Sequence, residues 1–267
     1  HQYKNRVLLL STGQCFAYCR FCFRKNFTGK EAAWISDSEI EKVCSYLASH
    51  SEVKEILISG GDPLLVPNEK LFSLLKAIRH ASPKIIIRLG TRSLFFAPER
   101  FTQKTIEVLQ VFFPLWIIPH INHPLEVSEK YAPEVLETIE KIRLAGIPMQ
   151  SQTVLLKDIN DSPFILETLF HKLICLGIKP GYLFQLDLAK GTSHFRLPID
   201  TALKLYAQLK KELSGLSCPV FALDLPGGGG KLNLESLAQK TAGISFDSND
   251  TSILVQKENK LWTYPKN

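Results

Sequence analysis

Short apolar runs rich in β-branched residues alternate with longer stretches of helical periodicity along this chain. That rhythm limits the folds open to it more than any other feature. Val7–Thr12, Glu55–Ser59, Ile85–Leu89, Leu115–Pro119, Gln152–Leu156 and Tyr182–Leu186 read as strands. Asp37–Ser49, Lys70–Ala81, Thr102–Gln110, Ser128–Ala145, Phe164–Leu176 and Ile199–Ser214 carry apolar residues at helical spacing, and Gly146 is a typical helix stop. Strand followed by helix, repeated about six times, predicts an α/β fold with a parallel sheet and crossover helices. The strand runs are continuously apolar, as strands buried on both faces are. A barrel or partial barrel is the expectation, with a doubly wound open sheet as the alternative. In both, ligands bind at the C-terminal ends of the strands.

The unusual residues follow those ends. A Cys-rich loop follows the first strand, SGGDP the second, GTRS the third, HINHP the fourth and DLAKG the sixth. The tail differs: Ile244–Phe246, Ser252–Gln256 and Leu261–Tyr264 read as short strands joined by polar turns. The expected division is a core over residues 1–218 and a C-terminal extension over 219–267.

Composition sets the remaining bounds. Hydrophobic residues make up 45% of the 267 and charged residues 22%, which excludes wholesale disorder. The net charge of +6 fits anionic small ligands and gives no ground for a nucleic-acid partner. No apolar run reaches the roughly 18 residues that cross a bilayer. The chain opens HQYKNRVLLL, without Met and without a secretory pattern, which reads as a trimmed start. A cytoplasmic protein acting on a small molecule is the expectation. Six cysteines are too few for a disulfide scaffold.

Three of those cysteines, Cys15, Cys19 and Cys22, stand in the spacing C-x3-C-x2-C. Structural zinc takes four protein ligands, and no Cys/His doublet follows at zinc-finger spacing. Three thiolates in a tight loop match a [4Fe–4S] cluster with one iron left open. Cys44, Cys175 and Cys218 sit in helical or pre-strand patterns and receive no role. The spacing, with aromatic Phe21 before the third Cys, resembles the radical S-adenosylmethionine enzymes. The resemblance implies a partial (β/α)6 TIM-like barrel with the small C-terminal β extension. It also implies S-adenosylmethionine on the open iron and Phe21 near the adenine.

Ser59, Gly60, Gly61 and Asp62 stand where that superfamily carries a Gly-Gly-Glu segment, whose backbone contacts the methionine amino group. From the residues alone, a plain strand–helix turn with Asp62 at a helix start fits equally well. Gln152 on the fifth strand, and His120, Asn122 and His123 after the fourth, point to the same rim. Gln152 is carried as a further S-adenosylmethionine contact, and the histidines as candidates for the cofactor pocket.

The other unusual segment is DLPGGGGK, Asp224 to Lys231. It fails the phosphate-loop pattern G-x-x-x-x-G-K-[ST] at Leu232. A flexible linker is a second reading. A third is a lysine carried on a close-approaching backbone to hold pyridoxal phosphate. Together with the cysteine loop, the segment resembles lysine 2,3-aminomutases. NRVLLLSTGQCFAYCRFCFRK, EILISGGDPLLV, RLGTRS, HINHP, QTVLLKDIND, QLDLAKGTSHFR and DLPGGGGK look like blocks of that family in order.

The resemblance implies an isomerase that uses a [4Fe–4S] cluster, S-adenosylmethionine and pyridoxal phosphate. It moves the α-amino group of L-lysine to the β-carbon. Lys231 matches the lysine that holds pyridoxal phosphate, and Tyr3 and Arg6 match contacts to its phosphate. Arg24 matches the arginine that grips the substrate carboxylate, and Asp187 and Asp224 match the acids that take the distal ammonium. Gln2 stands where the family often has a basic residue. Ser162 stands where a zinc-ligand cysteine is expected, so no structural zinc is expected. The implied partners are an amino acid substrate, an electron donor such as flavodoxin or ferredoxin, and further copies of the chain in a homo-oligomer. Other readings are an arginine 2,3-aminomutase, an enzyme making (R)-β-lysine for translation elongation factor P, and a non-catalytic iron–sulfur redox or sensor protein.

Overall fold

The computed structural model describes residues 3–29, 34–235, 244–248, 252–257 and 260–265; of 244–248 and 257 only the backbone is described. Gln2 lies outside them. The chain packs as two compact units. One is His1–Ile121 with Leu125–Ser151 and Leu176–Ile178; the other is Asn122–Pro124 with Gln152–Cys175 and Lys179–Asn267.

In the first unit, strands β1 (Arg6–Thr12), β2 (Glu55–Gly60), β3 (Ile86–Thr91), β4 (Leu115–Pro119) and the start of β5 (Met149–Val154, from Gln152 on in the other unit) pair in parallel and in chain order. The order never reverses, so there is no topological switch point, and the doubly wound alternative falls. This is the strand order of a partial (β/α)6 barrel. Ile56 and Ile58 of β2, Ile87 and Leu89 of β3 and Ile117 of β4 are fully buried, but the alternate residues Leu57, Ile86 and Arg88 are half-buried and Leu8 and Leu10 of β1 are exposed, so these strands alternate instead of being buried on both faces as expected.

Helices α1 (Asp37–Ser49) and α2 (Asn68–Ala81) follow β1 and β2. The first begins at a reciprocal cap: the Ser36 amide donates to Glu39 Oε2 at 2.8 Å, and the Glu39 amide donates to Ser36 Oγ. The second buries Leu71, Leu74, Leu75 and Ile78 along one stripe. A single turn, α3 (Ser93–Phe96), and then α4 (Gln103–Gln110) follow β3; Thr102 caps α4.

Helix α5 (Pro133–Leu144) starts five residues later than its periodicity predicts. Ala132, preceding proline, has φ −148° and cannot enter the helix, while Pro133 suits its first turn. Gly146 ends it at φ +69°.

The second unit holds α6 (Pro163–Cys175), α7 (Ile199–Glu212), β6 (Ile178–Phe184, its first residue in the other unit) and β7 (Val220–Leu225). β6 and β7 pair in parallel. Strands β5 and β6 both lie a few residues earlier than expected. β5 ends at Val154 because the Asn160 side chain takes over its backbone groups. Asn160 Nδ2 donates to the Val154 carbonyl at 2.9 Å, and its Oδ1 accepts from the Leu156 amide at 2.7 Å. β6 runs through Pro180 and Gly181, residue types that signal turns but are buried in the strand here.

A strand that the sequence does not announce, β8 (Gly230–Asn233), pairs antiparallel with β7. The tail strands β9 (Ile244–Ser248), β10 (Ser252–Lys257) and β11 (Lys260–Pro265) form an antiparallel sheet, as expected.

Candidate active site

In the first unit the site is built where β1, β2 and β3 end. Cys15, Cys19 and Cys22 lie half-buried on the loop after β1. Tyr18, at φ +39°, turns the chain just before Cys19, and the Cys22 amide donates to the Cys19 carbonyl at 2.9 Å. Burial pushes the Cys15 and Cys22 thiols up, and each also feels Cys19. Metal binding at these thiols would therefore release protons.

Two glycines hold this loop in place. The Gly61 amide donates to the Thr12 carbonyl at 2.6 Å and the Asp62 amide to the Gln14 carbonyl at 2.7 Å. A Cβ on Gly61 would fall 1.8 Å from the Gln14 oxygen, and one on Gly60 2.3 Å from the Thr12 oxygen. No side chain fits between the end of β2 and the start of the cysteine loop.

Asp62 is buried and engaged within the scaffold. It accepts from Thr91 Oγ1 at 2.8 Å, the Arg92 amide at 2.7 Å and the Leu64 amide at 3.1 Å. Burial raises its carboxyl pKa, and these donors act against the rise. Its side chain ties the ends of β2 and β3 together.

Arg24 donates from Nη1 to Ser59 Oγ at 3.1 Å and lies 4.5 Å over the Phe23 ring. The Arg6 guanidinium lies 4.2 Å over the Tyr3 ring, so those two residues come together as a pair. Phe21 packs against His120 with ring centroids 5.5 Å apart.

Arg92, from the GTRS segment, was not among the expected site residues. It donates to Cys19 Sγ at 3.0 Å, forms an ion pair with Glu126, and lies 5.0 Å over the Phe96 ring. Its signal was its position, one residue past β3, where barrel ligands bind.

In the second unit, Asp224 on β7 stands directly opposite Lys231 on β8. Lys231 Nζ donates to the two Asp224 oxygens at 2.9 and 3.1 Å. The ammonium also lies 4.1 Å over the Phe184 ring and 4.9 Å over the Tyr182 ring. Asp187 follows β6 and is half-buried, as is Gln152 on β5. Gln152, Asp187, Asp224 and Lys231 thus belong to the second unit; the cysteines, Phe21, Arg24, Ser59–Asp62, Tyr3 and Arg6 belong to the first.

The donor sets fit the implied groups. Three thiols, with a guanidinium on one sulfur, suit iron–sulfur ligation. Among the described residues, no three His, Cys, Asp or Glu side chains converge on a position for a single ion. Lys231 offers a primary amine beside two aromatic faces. Positions where Gly227 and Gly228 would carry a Cβ have no atom within 4 Å, which leaves space beside that backbone.

Comparison with known proteins gives four findings. The family model "Radical SAM superfamily" matches residues 9–166. The putative L-lysine 2,3-aminomutase of Treponema pallidum is 53% identical over 89% of this chain and 66% of that protein. The L-lysine 2,3-aminomutase of Fusobacterium nucleatum is 39% identical over 86% of this chain and 53% of that protein. The chain thus spans between about half and two thirds of these relatives. Among solved structures, Streptococcus suis SuiB bound to S-adenosylmethionine superposes with a TM-score of 0.62 at 15% identity. The match covers 82% of this chain and 50% of that one, and it bears on the fold alone.

Proposed function

The chain belongs to the radical SAM superfamily, and from that premise we propose that it is an aminomutase moving the α-amino group of L-lysine to the β-carbon. The observation that carries the reading is the setting of Lys231: an amine caged by one carboxylate and two aromatic rings, in a chain that also bears the three-cysteine loop.

Cys15, Cys19 and Cys22 would hold a [4Fe–4S] cluster, with S-adenosylmethionine at the open iron and pyridoxal phosphate on Lys231. Bound together, these groups supply a carbon radical, an electron sink for the migrating nitrogen and a site of covalent attachment. The chain's own residues do the rest. Of the first unit, Phe21 would lie near the adenine and the backbone of Ser59, Gly60, Gly61 and Asp62 would receive the methionine end; of the second unit, Gln152 would be a further contact to S-adenosylmethionine. Tyr3 and Arg6 would hold the pyridoxal phosphate group. The Arg24 guanidinium, steadied by Ser59, is a planar fork suited to the substrate carboxylate.

Asp187 and Asp224 neutralise the distal ammonium and reject acidic side chains. Asp224 already binds an alkylammonium, that of Lys231, at 2.9 Å. The same carboxylate can therefore serve the substrate once Lys231 engages the cofactor. The reductant belongs to the flavodoxin or ferredoxin class, and the enzyme works in the cytoplasm as a homo-oligomer.

The test is anaerobic reconstitution with iron, sulfide, S-adenosylmethionine, pyridoxal phosphate and reductant, on lysine, arginine and glutamate in parallel. β-Lysine with accompanying 5′-deoxyadenosine is expected. A β-amino acid from arginine alone reassigns the substrate. No 5′-deoxyadenosine from any of the three overturns the reading.

A further inference from the structure

The four glycines before Lys231 are not equivalent. Gly227, Gly228 and Gly230 have φ of +61°, +83° and +87°, a region other residues enter at a cost. Gly229 has φ −66°, which any residue adopts. Its reason for being glycine is space. A Cβ there would fall 2.5 Å from Trp262 Nε1, 2.6 Å from Trp262 Cε2 and 2.6 Å from Leu225 Cβ.

Trp262 sits on β11, two residues before Tyr264 and so on the same face. Val255 and Ile253 of β10 stand directly opposite these two. Ile253, Val255 and Tyr264 are buried, and Trp262 is half-buried. Tyr264 donates its hydroxyl to the Leu186 carbonyl at 2.7 Å, one residue before Asp187. One face of the tail sheet therefore touches two functional loops: the glycine loop leading into Lys231 and the loop carrying Asp187.

The geometry points to Trp262 as a positioning residue: its indole seats the Gly227–Gly230 loop and so presents Lys231 for pyridoxal phosphate. This rests on the reading of Lys231 as the cofactor lysine. The mechanism is steric. The indole is the floor against which the loop closes, and Lys231 follows Gly229 by two residues at the register that faces Asp224. Without that floor, three glycines with wide backbone freedom precede the reactive amine. The amine then spends less time in one place.

The test compares the full chain with Trp262→Ala, Trp262→Phe, Gly229→Ala and the Gly229→Ala/Trp262→Ala pair. Pyridoxal phosphate is titrated by visible absorbance, and the adduct is fixed with borohydride and mapped by peptide mass. Iron content and circular dichroism report loading and folding separately. Trp262→Ala is expected to weaken pyridoxal phosphate binding about tenfold or more, with iron content unchanged. Trp262→Phe recovers most of the loss. Gly229→Ala alone gives a similar loss, because the new methyl meets both the indole and Leu225 Cβ. Added to Trp262→Ala it costs less than it does alone, because only the contact with Leu225 Cβ is left to meet the methyl.

Binding by Trp262→Ala and Gly229→Ala equal to that of the unaltered chain overturns the inference and leaves the cofactor reading standing. Additive losses in the pair also overturn it. A Trp262→Ala chain that does not fold shifts the decision to Gly229→Ala and Trp262→Phe, read by the same criteria. If the unaltered chain gives no pyridoxyl-Lys231 adduct, the cofactor reading fails and the inference fails with it.

Discussion

Asp224 faces Lys231 across two antiparallel strands, and the reading gives it two cations to hold in turn. Its replacement by asparagine keeps the shape and removes the charge. Hydrogen bonds to charged groups contribute about 1.5–3 kcal/mol. Asp224→Asn is therefore expected to lower kcat/KM for lysine by roughly ten- to a hundredfold. Steady-state kinetics on the reconstituted enzyme check this, and an unchanged kcat/KM would remove Asp224 from the substrate site. The residue scale also shows where a sequence motif can be read for its type but not for its task. Gly60 and Gly61 were legible as a backbone suited to close approach, and the structure adds that they press against the chain itself at Thr12 and Gln14. Arg92 went unnoticed because its partners, Cys19 and Glu126, are remote in sequence and only folding brings them to one guanidinium.

At the scale of elements, the tail sheet is tied to the rest of the second unit by a buried tyrosine, Tyr264. Burial is the main reason that the Tyr264 phenol is pushed up to about 12; a nearby Asp187 adds to this, while Gln185 and Arg196 oppose it. The sign follows from proton linkage. With its folded value above the unfolded one near 10, the native state holds the proton longer. The stability is complete below pH 10 and is lost as pH rises through 12. Alkaline difference spectra should show Tyr264 titrating about two units late, with Tyr206, pushed up further by its own burial, later still. Tyr264→Phe should abolish the earlier of these late steps and leave that of Tyr206; survival of the step near 12 would contradict the assignment.

The three tail strands were readable because alternation and polar turns are local signals. Strand β8 was not. Gly230–Asn233 has no apolar alternation of its own and becomes a strand only because β7 is beside it. The shifted start of α5 has the opposite origin. Helical periodicity runs on past Pro133, but proline chemistry decides where the helix can begin.

For the molecule as a whole, a parallel sheet with crossover helices was legible from six apolar runs, but the strand order was not; only folding sets chain order, which excludes the doubly wound alternative. The same scale separates an enzyme from a passive iron–sulfur protein. A cluster fixed by three thiolates offers its fourth iron to a ligand; a closed cluster does not. S-adenosylmethionine should then bind the native state only when the cluster is present, and ligands that bind only the native state raise its stability by mass action. At a hundred times Kd the gain is about 2.7 kcal/mol. In a chain of this size, each kcal/mol moves Tm by roughly 2–4 °C. Anaerobic calorimetry is therefore expected to show S-adenosylmethionine raising Tm by roughly 5–10 °C in the cluster-loaded chain. A chain with Cys15, Cys19 and Cys22 all changed to alanine should show no rise, because the binding iron is gone while the rest of the sheet edge remains. Equal stabilisation in both chains would mean that S-adenosylmethionine binds somewhere other than at an open iron, and the radical chemistry would lose its origin.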